Sequence, residues 1–257
     1  VALIGAGKSS TILKRSSSSD LGLETSVITV STGGVSNNIV KALTIDGNSV
    51  VNPGTAPDKD SWHNGGVLIT DGNLGTNNKI LFDNIIVQNS TMGFHAKGTS
   101  NLTVQNSDFT NNGGCYLYWH NMYLRRVSST KIYNCNLYSS PSANGINISF
   151  CDNVTVDSCK TYNNYFRGIR AADSSYIDVL NCNVYGNKTG DGIIFNTDTT
   201  TGVSNFRIKS NTVSNNAGYG IITNGACSDG QVWDNIDGGG NVKGFKSLSG
   251  ININYES

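Results

Sequence analysis

The chain has 257 residues, carries 18 basic and 18 acidic side chains, and is only 14% charged. Zero net charge without a basic stripe leaves no footprint for nucleic acid, and no run of about 18 apolar residues is present to span a bilayer. Thirty-five Asn and 30 Gly against two Glu favour turns and strands over helices, and 37% hydrophobic residues argue for a core rather than disorder.

The chain opens on an apolar strand, Val1-Ala2-Leu3-Ile4, followed by Gly5-Ala6-Gly7, with no initiator Met. A strand at the first residue is expected where upstream sequence has been removed, as in a processed, secreted protein, with a trimmed chain as the alternative; a bacterial source is also expected. Residues 16–25 and 52–65 read as long loops. Between and beyond them two signatures recur. One is a short alternating run closed by Asn or Ser, as in Leu102-Thr103-Val104-Gln105-Asn106 and Val154-Thr155-Val156-Asp157-Ser158. The other is Gly followed by an alternating strand, as in Gly93-Phe94-His95-Ala96, Gly114-Cys115-Tyr116-Leu117, Gly145-Ile146-Asn147-Ile148 and Gly168-Ile169-Arg170-Ala171. Copies advance by roughly 21 to 31 residues, the spacing of a solenoid.

Alternation sends every other side chain inward. The expected fold is therefore all-β: a right-handed parallel β-helix of about nine rungs, one domain over residues 1–257. Cys135, Cys159 and Cys182 fall in one column beside Ser107 and Asn211 and read as stacked free thiols. Asn84, Asn106, Asn134 and Asn181 read as an internal amide ladder at a bend. Trp119 to Ser129 reads as a loop that follows a strand starting at Gly114, and the Gly-rich stretch Asp234 to Gly244 as a cap.

The post-Gly strands gather a distinctive outward face. One column is expected to carry His95, Tyr116, Asn147 and Arg170, and the next Lys97, Tyr118 and Ser149. Asn144 and Arg167 sit just before the glycines, and the loops bring Trp62, His63, His120, Tyr123, Arg125 and Arg126 to the edges. The middle rungs lack the paired carboxylates of glycoside hydrolysis and the carboxylate cluster of a calcium site. A basic, aromatic groove of this kind suits an anionic, extended sugar polymer. β-Elimination on a polyuronate needs a base for the C5 proton, a cation for the carboxylate and an acid for the leaving oxygen. Lys97 is the first candidate for the base, with Tyr118 as acid and Tyr116 or Tyr123 as its replacements. Arg170, Arg167 and Asn147 would hold carboxylates, His95 and His120 would bind the carboxylate or share proton transfer, and Asn144, Arg125, His63 and Trp62 would contact the substrate. No cofactor or metal is expected, and no partner other than an anionic polysaccharide; the chain is expected to act as a monomer.

The opening Leu3-Ile4-Gly5-Ala6-Gly7-Lys8-Ser9-Ser10-Thr11-Ile12-Leu13, with the repeats over 66–224, resembles the pectate-lyase-like parallel β-helix superfamily. Within it the chain looks most like the alginate lyases of polysaccharide lyase families 6 and 31. The first of these implies a Lys/Arg pair one rung apart near the end of the cleft strand. Lys97 ends one such strand, and the next rung is expected to offer Tyr118-Trp119-His120, giving the second role to Tyr or His. Asn196-Thr197-Asp198 and Arg207-Ile208-Lys209 match fragments of polygalacturonase-like motifs, but they stand too close together for successive rungs of one cleft. The leading expectation is a polyuronate lyase acting on alginate. The alternatives are a C5-epimerase and a non-catalytic, tailspike-like carbohydrate-binding β-helix.

Overall fold

A computed structural model of the chain describes residues 1–16, 26–31, 37–49, 65–70, 79–114, 118–199 and 201–255. Among these the chain forms a right-handed parallel β-helix without α-helix. Three sheets of ten, nine and nine strands run its length. The first extends from Ala2–Ile4 to Ile251–Tyr255, the second from Ile12–Lys14 to Ile236–Asp237, and the third from Ser26–Ser31 to Lys246–Leu248. Each strand pairs in parallel with its counterparts one coil before and one coil after, as Phe94–Lys97 does with Gly65–Thr70 and Met122–Arg125.

The period of two sorts the side chains. In the third sheet Val67, Phe94, Met122, Ile146, Ile169 and Ile193 share one inward column, and Ile69, Ala96, Leu124, Ile148, Ala171 and Phe195 the other. All are fully buried or nearly so. Burying each large aliphatic or aromatic side chain contributes about 1.5–3 kcal/mol. Phe82, Phe94 and Phe109 come one from each sheet and meet edge to face at 5.0 and 5.9 Å, locking the three walls together across the lumen.

The corners are built by residue type. Between the first and second sheets, Asn84, Asn106, Asn134, Ser158 and Asn181 adopt φ values of 50–55°, the left-handed region that Asn tolerates best among residues with a side chain. These side chains are exposed and bond along the outside, as Asn134 Nδ2 does to Asn106 Oδ1 at 2.8 Å. The amide ladder expected inside at these positions is therefore an external one, because a left-handed residue turns its side chain out of the bend. The internal ladder stands at the bend between the second and third sheets. Asn112, Asn121, Asn164, Asn187, Asn216 and Asn241 each pass an amide hydrogen bond to the next, at 2.8–3.2 Å. Cys135, Cys159 and Cys182 stack in a buried column as free thiols, and Cys151 and Cys227 are buried free thiols placed elsewhere. The Cys135 backbone N–H donates to Cys159 Sγ, and the Cys182 N–H to Asn211 Oδ1.

Candidate active site

The outward face of the third sheet carries the candidate site residues, but one rung of it is not the rung expected from sequence. The strand facing Phe94–Lys97 is Met122–Arg125; Gly113 and Gly114 precede it without belonging to it. Asn121, whose side chain enters the internal amide ladder, takes the backbone place that Gly93 and Gly145 hold in neighbouring coils. A Gly-based signature thus locks onto Gly114 and shifts the register. The segment expected as a loop over 119–129 contains a cleft strand.

The correction changes both outward columns. Tyr123 stands between His95 and Asn147, where Tyr116 was expected, and Arg125 stands between Lys97 and Ser149, where Tyr118 was expected. Tyr118 is not in a strand and is 53% exposed. Tyr116, Trp62 and His63 lie outside the described residues. The structure brings together His95, Lys97, Tyr123, Arg125, Asn147 and Arg170 on three adjacent strands and their neighbour, with His120, Asn144 and Arg167 at the strand entrances. Lys97 and Arg125 are side by side in one column, one strand spacing of about 4.8 Å apart.

The groups are held closely. Trp119 is fully buried on the outside of the sheet and packs with Leu68, Met92 and Tyr123, forming a small second core. Tyr123 stacks face to face on His95 at 4.9 Å and meets His120 edge-on at 5.5 Å. Burial, reinforced by the charges of Lys97 and Arg125, lowers the His95 pKa to about 3, so this imidazole is neutral at physiological pH. His120 is also held well below the ordinary imidazole range, first by burial and then by Arg170. Its Nδ1 accepts the Asn144 backbone N–H at 3.2 Å, which leaves the proton on Nε2. Burial raises the Tyr123 phenol, against the opposing pull of Arg125 and a hydrogen bond with Ser149, so it too is uncharged at neutral pH.

The two deeper arginines are already engaged. Arg170 donates from Nη1 to Asn147 Oδ1 at 3.1 Å and from Nη2 to Asp198. Asn147 in turn accepts from Asn144 and donates to Ser149 Oγ. Arg167 lies 4.0 Å from Asp191 and stacks on the Phe166 ring, and burial lowers its pKa to about 10. The carboxylates that border the groove are thus partners of these guanidinium groups. Asp173 orders the Asp198 segment by accepting the backbone N–H groups of Asp198, Thr199 and Gly202. Asn196-Thr197-Asp198 follows the third sheet while Arg207-Ile208-Lys209 lies in the first, so the two motif fragments face different sides of the prism.

Residues 73–237 match the family described as the right handed beta helix region. Among solved structures, the A-module of the Azotobacter vinelandii mannuronan C-5 epimerase AlgE4 is similar at a TM-score of 0.59 and 16% identity, with 98% of this chain and 79% of that one covered. Pectate lyase Pel9A is similar at 0.64 and 13% identity, covering 100% and 70%. The enzymatically active domain of bacteriophage CBA120 tailspike protein 2 is similar at 0.60 and 13% identity, covering 98% and 44%. At these identities the likeness is one of fold. No curated protein sequence matches the chain.

Proposed function

The chain belongs to the right-handed β-helix family, and from that premise we propose that it is a lyase that cleaves an anionic polyuronate, alginate first, by β-elimination on the outer face of its third sheet. The observation that carries this reading is the block of four side chains on two neighbouring strands: His95 and Lys97 on one, Tyr123 and Arg125 on the next. Two are basic side chains and two are uncharged rings, one of them a phenol that can give up a proton. The Lys97–Arg125 juxtaposition is also the pair implied by the resemblance to family 6 alginate lyases, supplied by a strand that the sequence hid.

In the proposed reaction a substrate carboxylate lies against Arg125, which spreads the charge of the enediolate as it develops. Lys97 Nζ takes the C5 proton. The C5–H electron pair becomes the C4–C5 double bond, the C4–O bond breaks, and Tyr123 gives its phenolic proton to the leaving oxygen. The phenol is suited to donate because burial keeps it protonated. His95, uncharged beneath it, holds the ring in place without adding a competing cation. The Nε2 proton of His120 is available to a substrate oxygen at the strand entrance.

C5-epimerisation shares the first step. The observation that favours it is the second imidazole, His120, on the edge of Tyr123, which offers another route for returning a proton. The product separates the two: an unsaturated uronate end for the lyase, an inverted C5 without chain cleavage for the epimerase.

The test of the assignment is a pair of variants at one position. Lys97→Ala removes charge and base together, whereas Lys97→Arg keeps the charge but cannot act as a base. Both should lower kcat on alginate by about 10²–10⁴-fold, with KM nearly unchanged in Lys97→Arg. Near-normal turnover by Lys97→Arg would show that Lys97 only grips the carboxylate and that the base is another group.

A further inference from the structure

A second feature stands on a different wall of the prism. On the outside of the first sheet, successive coils place Asn101, Ser129, Asn153, Tyr176, Asn205, Asp229 and Asn252 in the left-handed region, with φ between 48° and 55°. Six of these seven are Asn, Asp or Ser, whose short polar side chains suit the position. Tyr176 is the exception. A bulky residue in this region is a backbone outlier that costs roughly 1–2 kcal/mol. Packing does not offset that cost, since Tyr176 is 57% exposed. Strain retained at an exposed aromatic points to a use for the ring.

Its surroundings say what the use is. Tyr176 lines a cleft of about 410 Å³, with Asn153 on one side and Asn205 and Asp229 on the other. The run from Asn153 to Asp229 spans three strand spacings, about 14 Å, the length of an oligosaccharide rather than of a single ring. Along the cleft, Arg207 grips Asp178 through two bonds of 2.8 and 2.5 Å, fixing the guanidinium while leaving N–H groups over. An exposed aromatic face flanked by amides and a fixed donor fork matches the apolar face and vicinal hydroxyls of a pyranose. The ionisable lining groups are Asp178, Asp229 and Arg207, a net negative set. That set opposes a uronate and admits a neutral sugar.

We propose that this cleft is a non-catalytic binding site for a neutral hexopyranose polymer, with Tyr176 as its stacking platform. It is independent of the reaction proposed for the third sheet. The site would tether the protein to a neutral glycan while the other face meets its anionic one.

Affinity electrophoresis through gels containing mannan, galactan or glucan, with an alginate gel alongside, tests it on the whole chain. At least one neutral polymer should retard wild type and Lys97→Ala equally. Tyr176→Asn, which installs the residue of the neighbouring coils, should bind about tenfold or more weakly, as loss of a central aromatic anchor does, and should melt at or above the wild-type temperature. Gln231→Ala, at the far edge of the cleft, should weaken retardation without touching the left-handed position. The proposal is overturned if no neutral polymer retards the wild type, if Tyr176→Asn runs like wild type, or if Lys97→Ala abolishes the retardation.

Discussion

His95 illustrates how the site sets its own protonation. The imidazole is sealed against Tyr123 and faces the charges of Lys97 and Arg125, so the folded protein holds its pKa at about 3, against an unfolded value of 6.5. Below pH 6.5 the unfolded chain therefore takes up a proton that the folded chain refuses. Stability is full above that pH and falls as the pH drops from about 6.5 towards 3. His120 adds to the loss in the same direction. Chemical denaturation across this range should show the slope, and His95→Gln should flatten it by up to one proton; an unchanged slope would mean that His95 is not the buried neutral group described. Tyr123→Phe isolates the hydroxyl. It should lower kcat by about 10²-fold or more and leave stability within about 1 kcal/mol, since the ring keeps its contacts with His95 and Trp119.

At the scale of the strand, the decisive element is Met122–Arg125. Asn121 admits it to the third sheet by bonding to Asn112, Asn164 and the Tyr138 carbonyl, all in the interior. Asn121→Ala would leave two buried amides short of partners and should cost about 2–3 kcal/mol, read as a lower Tm with activity falling alongside it. Sequence reading found the repeat, the thiol ladder and the inward columns except at one rung, where Met122 and Leu124 hold the places given to Cys115 and Leu117, because inward positions have one requirement, to be apolar and of the right size. It found His95, Lys97, Asn147 and Arg170 for the same reason: they lie between recognisable inward residues on strands that follow Gly. It placed Tyr123 and Arg125 at the edge instead of the centre because Asn121 replaces Gly where the pattern was anchored, and Gly113-Gly114 offered a false start. Trp119 was read as loop and does lie outside the strands; its complete burial is what that reading missed. The outer core it builds has no periodic signature, since one large side chain from a connecting segment makes it.

At the scale of the molecule, a solenoid divides labour between interior and walls. The interior is closed to reagents. Burial pushes the Cys151 thiol up to about 12, and contact with Cys159 raises Cys135 further. The five described cysteines should resist a thiol reagent in the native protein and react together on unfolding; reaction of Cys135, Cys159 or Cys182 in the native state would contradict the stacked column. The outer face of the third sheet holds basic side chains beside the uncharged rings of His95 and Tyr123, and among the described residues no group of three His, Cys, Asp or Glu converges as a metal site would. Turnover should therefore withstand EDTA; a loss restored by Ca²⁺ would give the bordering Asp191 and Asp198 a role that their pairing with Arg167 and Arg170 does not suggest. The central claim is that this face removes the C5 proton of a polyuronate and expels the leaving sugar. The most direct measurement is the ultraviolet absorbance of unsaturated uronate ends during incubation with alginate, pectate and hyaluronan in turn. The account predicts a steady rise on alginate with wild type and one slower by about 10²–10⁴-fold with Lys97→Arg; no rise on any of the three polymers, or an equal rise with Lys97→Arg, would contradict it.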